Sequence, residues 1–403
     1  HVNLSWTPGA DVTHITYANA NDAENIQTIN LTAEEKAAGK YTLAGLQPTS
    51  TYTITIYKND VKRGQLQITT PAAMPAANYK YSLSSDVTVI SQTLIDEIAE
   101  QAKAAAGNET NYSATIGIPA GAKVALYGTN DTDGGKTNVT IPDGMSVTFF
   151  GLAGGETPTI TLDKNFDVAG SHAFIKFQNV KLEENGAGYF INQSKACTVG
   201  EFTLEDCEVS NIKTSFFRFQ GSDAKSVGKL TLKNSIFTNL CAGYGFIHID
   251  AKNGAGHLDN VEIDGCTFNS ICVTGKVFIY SNKKDMQDIT IKNSTFYNCN
   301  GNGQYFVDFG KDAKFGPNTF TIESCIFGKS ADEKTDKNIR SKTPATVANS
   351  FRTTDFFKVI KGVIDTEFSS EQLFTDPANG NFTIKAGTLK EKAGDPRWYV
   401  VED

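Results

Sequence analysis

The sequence predicts an all-β protein: a small β-sandwich, then a right-handed, single-stranded parallel β-helix with a helix laid over its first coil. Three observations carry that prediction. Segments starting at Ile175, Phe202, Leu230, Val261, Ile289 and Phe320 read IKFQNVKL, FTLEDCEV, LTLKNSIF, VEIDGCTF, ITIKNSTF and FTIESCIF, with starts 27 to 31 residues apart. Self-similarity at that period marks a solenoid whose repeats are stacked turns. Within each segment the first and third positions are apolar, the period-two alternation of a strand. The fifth position holds Asn179, Asp206, Asn234, Gly265, Asn293 and Ser324, residue types that suit a bend. After it, small or apolar residues resume with Val180, Cys207, Ser235, Cys266, Ser294 and Cys325, then Leu182, Val209, Phe237, Phe268, Phe296 and Phe327. Strand, one-residue corner, strand is the cross-section of a parallel β-helix.

The outward columns fix the same register independently. The fourth position alternates in sign through Glu205, Lys233, Asp264, Lys292 and Glu323. Neighbouring coils lie about 4.8 Å apart, so opposite charges meet and a one-residue slip would bury them.

Composition narrows the partners. The net charge of −8 over 403 residues argues against nucleic acid or an anionic membrane as the main partner. It also weakens binding to polyanionic sugars unless Lys, Arg or a metal offsets it locally. No run is long enough for a membrane span. The chain opens on HVNLSW, already in strand pattern, so any signal peptide or lipid anchor is expected to have been trimmed or never to have existed. Of the seven cysteines, Cys207, Cys266 and Cys325 alternate with serines in one inward column, as small core residues do. Cys241 and Cys272 share another column and could bond to each other. No Cys/His cluster has zinc spacing.

Taken in order, residues 1–71 read as the sandwich. Leu4 and Trp6 alternate ahead of Pro8-Gly9, and Leu46, Pro48 and Tyr52 form a tyrosine-corner pattern. On those residues the segment resembles a fibronectin type III module, whose expected role here is a spacer. Residues 72–89 form a proline-stiffened linker and lead-in. The stretch 91–106 is an amphipathic helix capped by Ser91 or Thr93, with Asp96 and Glu97 in its first turn. Its apolar stripe is Leu94, Ile95, Ile98, Ala102 and Ala105. It is the expected lid of a β-helix spanning 90–403, because open strand edges recruit other chains. Residues 114–126 and 138–152 supply the first two coils. After Phe327 a polar stretch, 331–350, reads as a long loop, and a C-terminal cap occupies about 368–403.

Each coil carries a third strand: YFINQ (189–193), FFRFQ (216–220), FIHID (246–250), VFIYS (277–281) and FVDFG (306–310). With Phe217, Ile247, Phe278 and Val307 inward, Arg218, His248, Ile279 and Asp308 face out. Phe216, Phe246, Val277 and Phe306 share that outer face, with Tyr189 above them. Arg218 could pair with a sugar carboxylate or act as base, His248 could move a proton, and Asp308 could hold Ca²⁺. Tyr189, Phe216, Phe246 and Phe306 could stack on sugar rings. Equally, the apolar stripe could be buried under the long loops or the N-terminal module. NDTDGG at 130–135 offers Asp131 and Asp133 as a calcium-loop fragment, though a simple turn is the better reading.

The order of capping helix, IPAG turn and stacked coils resembles the pectate-lyase-like β-helix superfamily over residues 90 to 400. More narrowly, the layout resembles surface proteins of polysaccharide-degrading gut-type bacteria that end in a Gly-Asp-Pro-Arg-Trp tail, here Gly394 to Trp398. The resemblance implies a secreted or surface location in a bacterium, a monomer, an outer-membrane lipid anchor lost in trimming, and polysaccharide as partner. Pectate lyases of this fold carry Trp-Ile-Asp-His and Arg-x-Pro-x-x-Arg runs, and polygalacturonases an Asn-Thr-Asp, an Asp-Asp pair and a Gly-His-Gly; none is present. Three functions therefore stand open. The first is binding of plant or host acidic glycans such as pectin. The second is a polysaccharide lyase built on Arg218, His248 and Asp308, and the third a protein-binding adhesin or scaffold.

Overall fold

The computed structural model describes residues 2–7, 11–70, 72–130, 132–311, 314–334, 338–385, 387–389 and 392–399. The chain forms two compact units, His1–Met74 and Pro75–Asp403. The first is sandwich-like and antiparallel. Val2–Ser5 pairs with Lys40–Leu43, and a four-stranded sheet runs in the order Asp22–Asn30, His14–Asn19, Thr51–Lys58, Val61–Thr69. Val12, Ile15, Leu31, Leu43, Tyr52 and Ile54 fill it, and Trp6 packs against them. The Tyr52 hydroxyl accepts the Gln47 N–H at 3.0 Å, the corner that its spacing foretold. Pro8-Gly9 lies outside the described residues.

Among the described residues the second unit is a parallel β-solenoid with three sheets of 10, 11 and 8 strands. The repeats pair column for column. In the first sheet Ile175, Phe202, Leu230, Val261, Ile289 and Phe320 lie in register. In the second, Leu182, Val209, Phe237, Phe268, Phe296 and Phe327 do the same. The rings of Phe237, Phe268, Phe296 and Phe327 stack 4.9–5.1 Å apart inside the coils. Outside, Lys233 meets Glu205 at 2.8 Å and Lys292 meets Asp264 at 3.7 Å. Such exposed pairs add little energy, about 0–1 kcal/mol each, but they penalise a slipped register.

One corner makes this cross-section possible. Asn179, Asp206, Asn234, Gly265, Asn293 and Ser324 all take left-handed backbone, φ 47° to 64°. Asn and Gly reach that region at least cost. The residue after each corner points inward. There Ser235, Ser294 and Ser350 accept the N–H of Cys207, Cys266 and Cys325 in the preceding coil at 3.0–3.2 Å. Each serine also donates to the carbonyl two residues back, at 2.7–2.9 Å. Serine and cysteine alternate because one hydroxyl satisfies the buried groups of two coils. All seven cysteines are buried thiols, and Cys241 and Cys272, which could have bonded, do not.

Three boundaries differ from expectation. The lead-in is already solenoid from Tyr79 onward: Tyr79–Ser82 and Val89–Ile90 pair in parallel with Tyr112–Ile118 and Lys123–Leu126. Within the stretch expected to be a long loop, 338–350 instead continues the coils, with Ile339–Arg340 and Thr346–Ala348 in the third and first sheets and an extra corner at Asn349 (φ 43°). Its strands are two or three residues long, too short to show alternation. The lid helix spans Gln92–Ala105; Ser91 caps it by accepting the Leu94 N–H at 3.2 Å, and no acidic residue lies in its first turn. Ile95, Ile98, Ala99 and Ala102 are buried, and Ala105 is exposed. Gln92 exchanges two hydrogen bonds, 2.8 and 2.9 Å, with the backbone of Thr140 on the outermost strand of the third sheet. A helix side chain thereby closes part of an open sheet edge.

The C-terminal cap has the helix Ser370–Leu373, the hairpin Phe374–Asp376 with Asn381–Ile384, and a last turn at Pro396–Trp398. It is a lateral strap. Gly394 donates to the Ser324 carbonyl at 2.8 Å, Asp395 N–H to Thr295 at 3.0 Å, and Trp398 Nε1 to the Thr267 hydroxyl at 2.7 Å. Thr267 in turn donates to the buried Asp395 carboxylate at 2.7 Å, and Arg397 pairs with Asp395 at 3.2 Å. A Cβ on Gly394 would sit 2.7 Å from the Thr295 hydroxyl, so this close approach needs glycine. Among the described residues no helix is long and apolar enough to cross a membrane.

Two predictions follow from the corner and the strap. Asn234→Val should lower stability by about 1–2 kcal/mol in urea unfolding, the cost of forcing a β-branched residue into left-handed backbone, whereas Asn234→Gly should change it little. Trp398→Ala together with Thr267→Val should release the strap. Limited proteolysis should then cleave near residue 390 while the solenoid fragment stays intact.

Candidate functional site

The third sheet carries the candidate residues, in a different parity from that expected. Phe217, Ile247, Ile279 and Val307 pair in register and point inward. Phe278 therefore does not belong to that column. Phe216, Phe246, Phe278 and Phe306 form a second inward column, each ring 4.7–5.1 Å from the next. These rings meet Phe237, Phe268, Phe296 and Phe327 edge-to-face at 5.0–5.6 Å. Phe216, Phe246 and Phe306 are thus core residues, not an outer sugar platform. The reason is local. Phe246, Phe278 and Phe306 stand one residue ahead of the strands Ile247–Ile249, Ile279–Ser281 and Val307–Asp308. At that corner the chain bends, and two successive side chains turn inward.

The outward column runs Asn192, Arg218, His248, Tyr280, Asp308, Arg340. Six positions at about 4.8 Å give a row of about 24 Å. Arg218, His248 and Asp308 therefore share a face, and Ile279 yields its expected place to Tyr280. Arg340 in this column, and Tyr244, Asp250 and Tyr305 beside it, are residues that the repeat did not reveal. Tyr189 is half-buried, with its ring 6.4 Å from that of Tyr244.

Each charged group is already engaged. Arg218 gives Asp250 a two-pronged ion pair, Nε to Oδ1 at 3.2 Å and Nη2 to Oδ2 at 2.7 Å. Its guanidinium lies 3.7 Å from the centre of the Tyr244 ring. Arg340 repeats the motif, with two 2.7 Å bonds to Asp308 and its guanidinium 4.4 Å from the centre of the Tyr305 ring. Asp308 also accepts the Gly310 N–H at 2.7 Å. His248 stacks on Tyr280 at 4.5 Å, packs against Tyr244 at 5.1 Å, and accepts the Gly245 N–H at Nδ1, 3.3 Å. That contact places its proton on Nε2, 3.7 Å from Asp250. Burial pulls the His248 pKa down to about 4, with Arg218 and Lys276 adding to the shift and Asp250 opposing it.

These bonds limit the chemistry. The Nδ1 lone pair of neutral His248 is spent on Gly245, Arg218 is held by a carboxylate, and both Asp308 oxygens are held by Arg340. The geometry presents the trio as a pre-set polar surface rather than as a base, a shuttle and a Ca²⁺ ligand. Among the described residues no three His, Cys, Asp or Glu side chains converge as a metal site would require. Asp131 lies outside the described residues, and Asp133 accepts the Gly135 N–H at 2.9 Å in a simple turn.

Comparison with known proteins adds little to this geometry. A family model described as a domain of unknown function (DUF5123) matches residues 289–398, the last coils together with the strap. No match was found among curated proteins or among solved structures.

The buried histidine makes stability depend on pH. An imidazole in the unfolded chain takes its proton near pH 6.5, but His248 in the folded protein takes it only near pH 4. Between these values the unfolded state binds more protons, so stability falls as pH drops through that window. The full effect is roughly 3 kcal/mol. Melting curves from pH 7 to pH 4 should show a shallower decline for His248→Gln than for the unaltered protein.

Proposed function

We propose that the solenoid binds polysaccharide along the outer face of the third sheet, without cleaving it. The observation that carries this reading is the row of Tyr244, Tyr280 and Tyr305 set among two Arg–Asp pairs. Tyrosine rings offer apolar faces to the C–H faces of sugars and hydroxyls to their rims at small cost in rotamer entropy. The guanidinium and carboxylate groups are fixed by each other, so a ligand need not order them on arrival. Their charges cancel within each pair. The face therefore suits hydroxyl-rich chains better than dense polyanions, and the chain's net charge of −8 points the same way.

The broader setting rests on resemblance. A fibronectin type III-like module would act as a spacer, and a Gly-Asp-Pro-Arg-Trp tail of the kind found in surface proteins of polysaccharide-degrading gut bacteria fits a secreted or cell-surface role. In that setting the protein would hold plant or host glycans for partner enzymes.

Affinity electrophoresis in gels cast with pectins, galactans and host glycans tests the proposal. Tyr244→Ala and Tyr280→Ala should each weaken retention roughly tenfold, the weight of one stacking contact. Ultraviolet absorbance should stay flat during incubation with the same polymers. New absorbance that Arg218→Ala removes would reject the non-cleaving reading in favour of a lyase.

A further inference from the structure

The corner between the third and first sheets carries a ridge of positive charge. In four successive coils it falls between Ile249 and Gly256, Ser281 and Met286, Asp308 and Pro317, and Arg340 and Thr346. Segments 252–254, 283–285, 311–315 and 341–343 of that corner hold six lysines and two aspartates. Lys252, Lys283, Lys284, Lys311, Lys314 and Lys342 are all exposed. Close contacts stack the segments. A Cβ on Gly254 would sit 3.4 Å from the Lys283 carbonyl, Met286 N–H donates to Gly316 at 3.3 Å, and Lys342 N–H to Phe315 at 3.0 Å. Three coil spacings make the ridge about 14 Å long. Outward charges elsewhere on the solenoid cancel coil against coil, as in Lys229–Glu262, Lys233–Glu205 and Arg218–Asp250. On the ridge only Lys342 is matched, by Asp285 at 2.7 Å. Asp312 lies outside the described residues, and among the described residues the other five lysines have no carboxylate partner. A cleft of about 360 Å³ opens midway, its lining including Lys283, Lys284, Asn253, Gln287 and the half-buried Phe315.

We infer that this ridge binds a linear anionic polysaccharide, with sulfate or carboxylate groups held by the lysines and one sugar unit seated in the cleft. Ammonium groups on flexible stems suit oxyanions at uneven spacing. The Asn253 and Gln287 amides offer donors and acceptors to hydroxyls, and the Phe315 ring an apolar surface. The ridge is a single file of cations on a chain of net charge −8. A bilayer or a nucleic-acid duplex would press the acidic remainder of the protein against like charge, whereas one flexible chain can follow the ridge alone. Single-stranded nucleic acid calls for a run of stacking rings, and the cleft offers one. The ridge is a second surface beside the tyrosine row and does not depend on it: the row is electrically balanced, and the ridge is not.

Affinity electrophoresis of the full chain tests this with dextran sulfate for sulfate, polygalacturonate for carboxylate, and unmodified dextran as the neutral control. At least one polyanion should retard the protein, less so as salt rises, and dextran should not. Retardation by only one of the two polyanions assigns the anionic group. Lys283→Gln combined with Lys284→Gln should melt like the unaltered protein and weaken retention roughly fivefold, the weight of two exposed ion pairs. Lys103→Gln combined with Lys361→Gln removes the same charge from exposed positions off the ridge, and should change retention by less than about twofold. Equal losses from the two double variants overturn the ridge as the site, since net charge alone would then govern binding. Equal retardation by dextran, or none by either polyanion, overturns the inference. So does tighter binding, at the same ionic strength, of a single-stranded oligonucleotide or of vesicles containing phosphatidylserine. Tyr244→Ala and Tyr280→Ala probe the tyrosine row separately, so failure of one surface leaves the other standing.

Discussion

The left-handed residue at the corner between the first two strands, at the same place in successive coils, sets the geometry of the solenoid. Two strands of fixed lengths joined by a one-residue bend can stack only if every bend occurs at the same place, and Asn, Asp, Gly or Ser at that place makes the bend inexpensive. The inward serine or cysteine that follows exists because of it. A sharp corner leaves backbone groups inside the coil, and a hydroxyl from the next coil satisfies them. The phenylalanine columns then have a constant width to fill, and stacked and edge-to-face rings fill it.

The same regularity explains why one outer face can present a row of fixed side chains. Parallel pairing repeats each position at the spacing of a strand, so a column of polar residues becomes a ruled surface. Isolated charges half-sunk between aromatic rings would be unfavourable. The structure resolves this by pairing Arg218 with Asp250 and Arg340 with Asp308, each from the neighbouring coil. These pairs also join adjacent coils, so the face is stiff for the same reason that it is electrically balanced.

What the sequence revealed follows from how often each feature repeats. The first two strands and their corner recur six times with strict alternation, and every one of those columns reads directly from the chain. The third strand recurs five times but begins at a bend, where alternation fails. Strict alternation therefore points Phe216, Phe246 and Phe306 outward, whereas their rings lie inside. Aligning VFIYS one residue later would have placed Tyr280 beside His248. Tyr244 and Tyr305 stand ahead of their strands in turns of unequal length, and no periodicity reaches them. Asp250 ends its strand, and its role appears only once coil stacking sets it against Arg218. Ile339 and Arg340 sit in a two-residue strand amid polar sequence, too brief to signal itself. The pattern puts Arg218, His248 and Asp308 on one face, but the partners of Arg218 and Asp308, Asp250 and Arg340, lie a full coil away.

The strap changes how the solenoid behaves as a physical object. A stack of coils is a nearest-neighbour system in which each unit answers only to the next, so its last turns can fray one at a time. Trp398 and Thr267 are 131 residues apart, and their hydrogen bond spans several coils in one step. Loss of any coil beneath it strains that link. The C-terminal turns should therefore open as a block, and they cannot be sealed until Trp398 has been made.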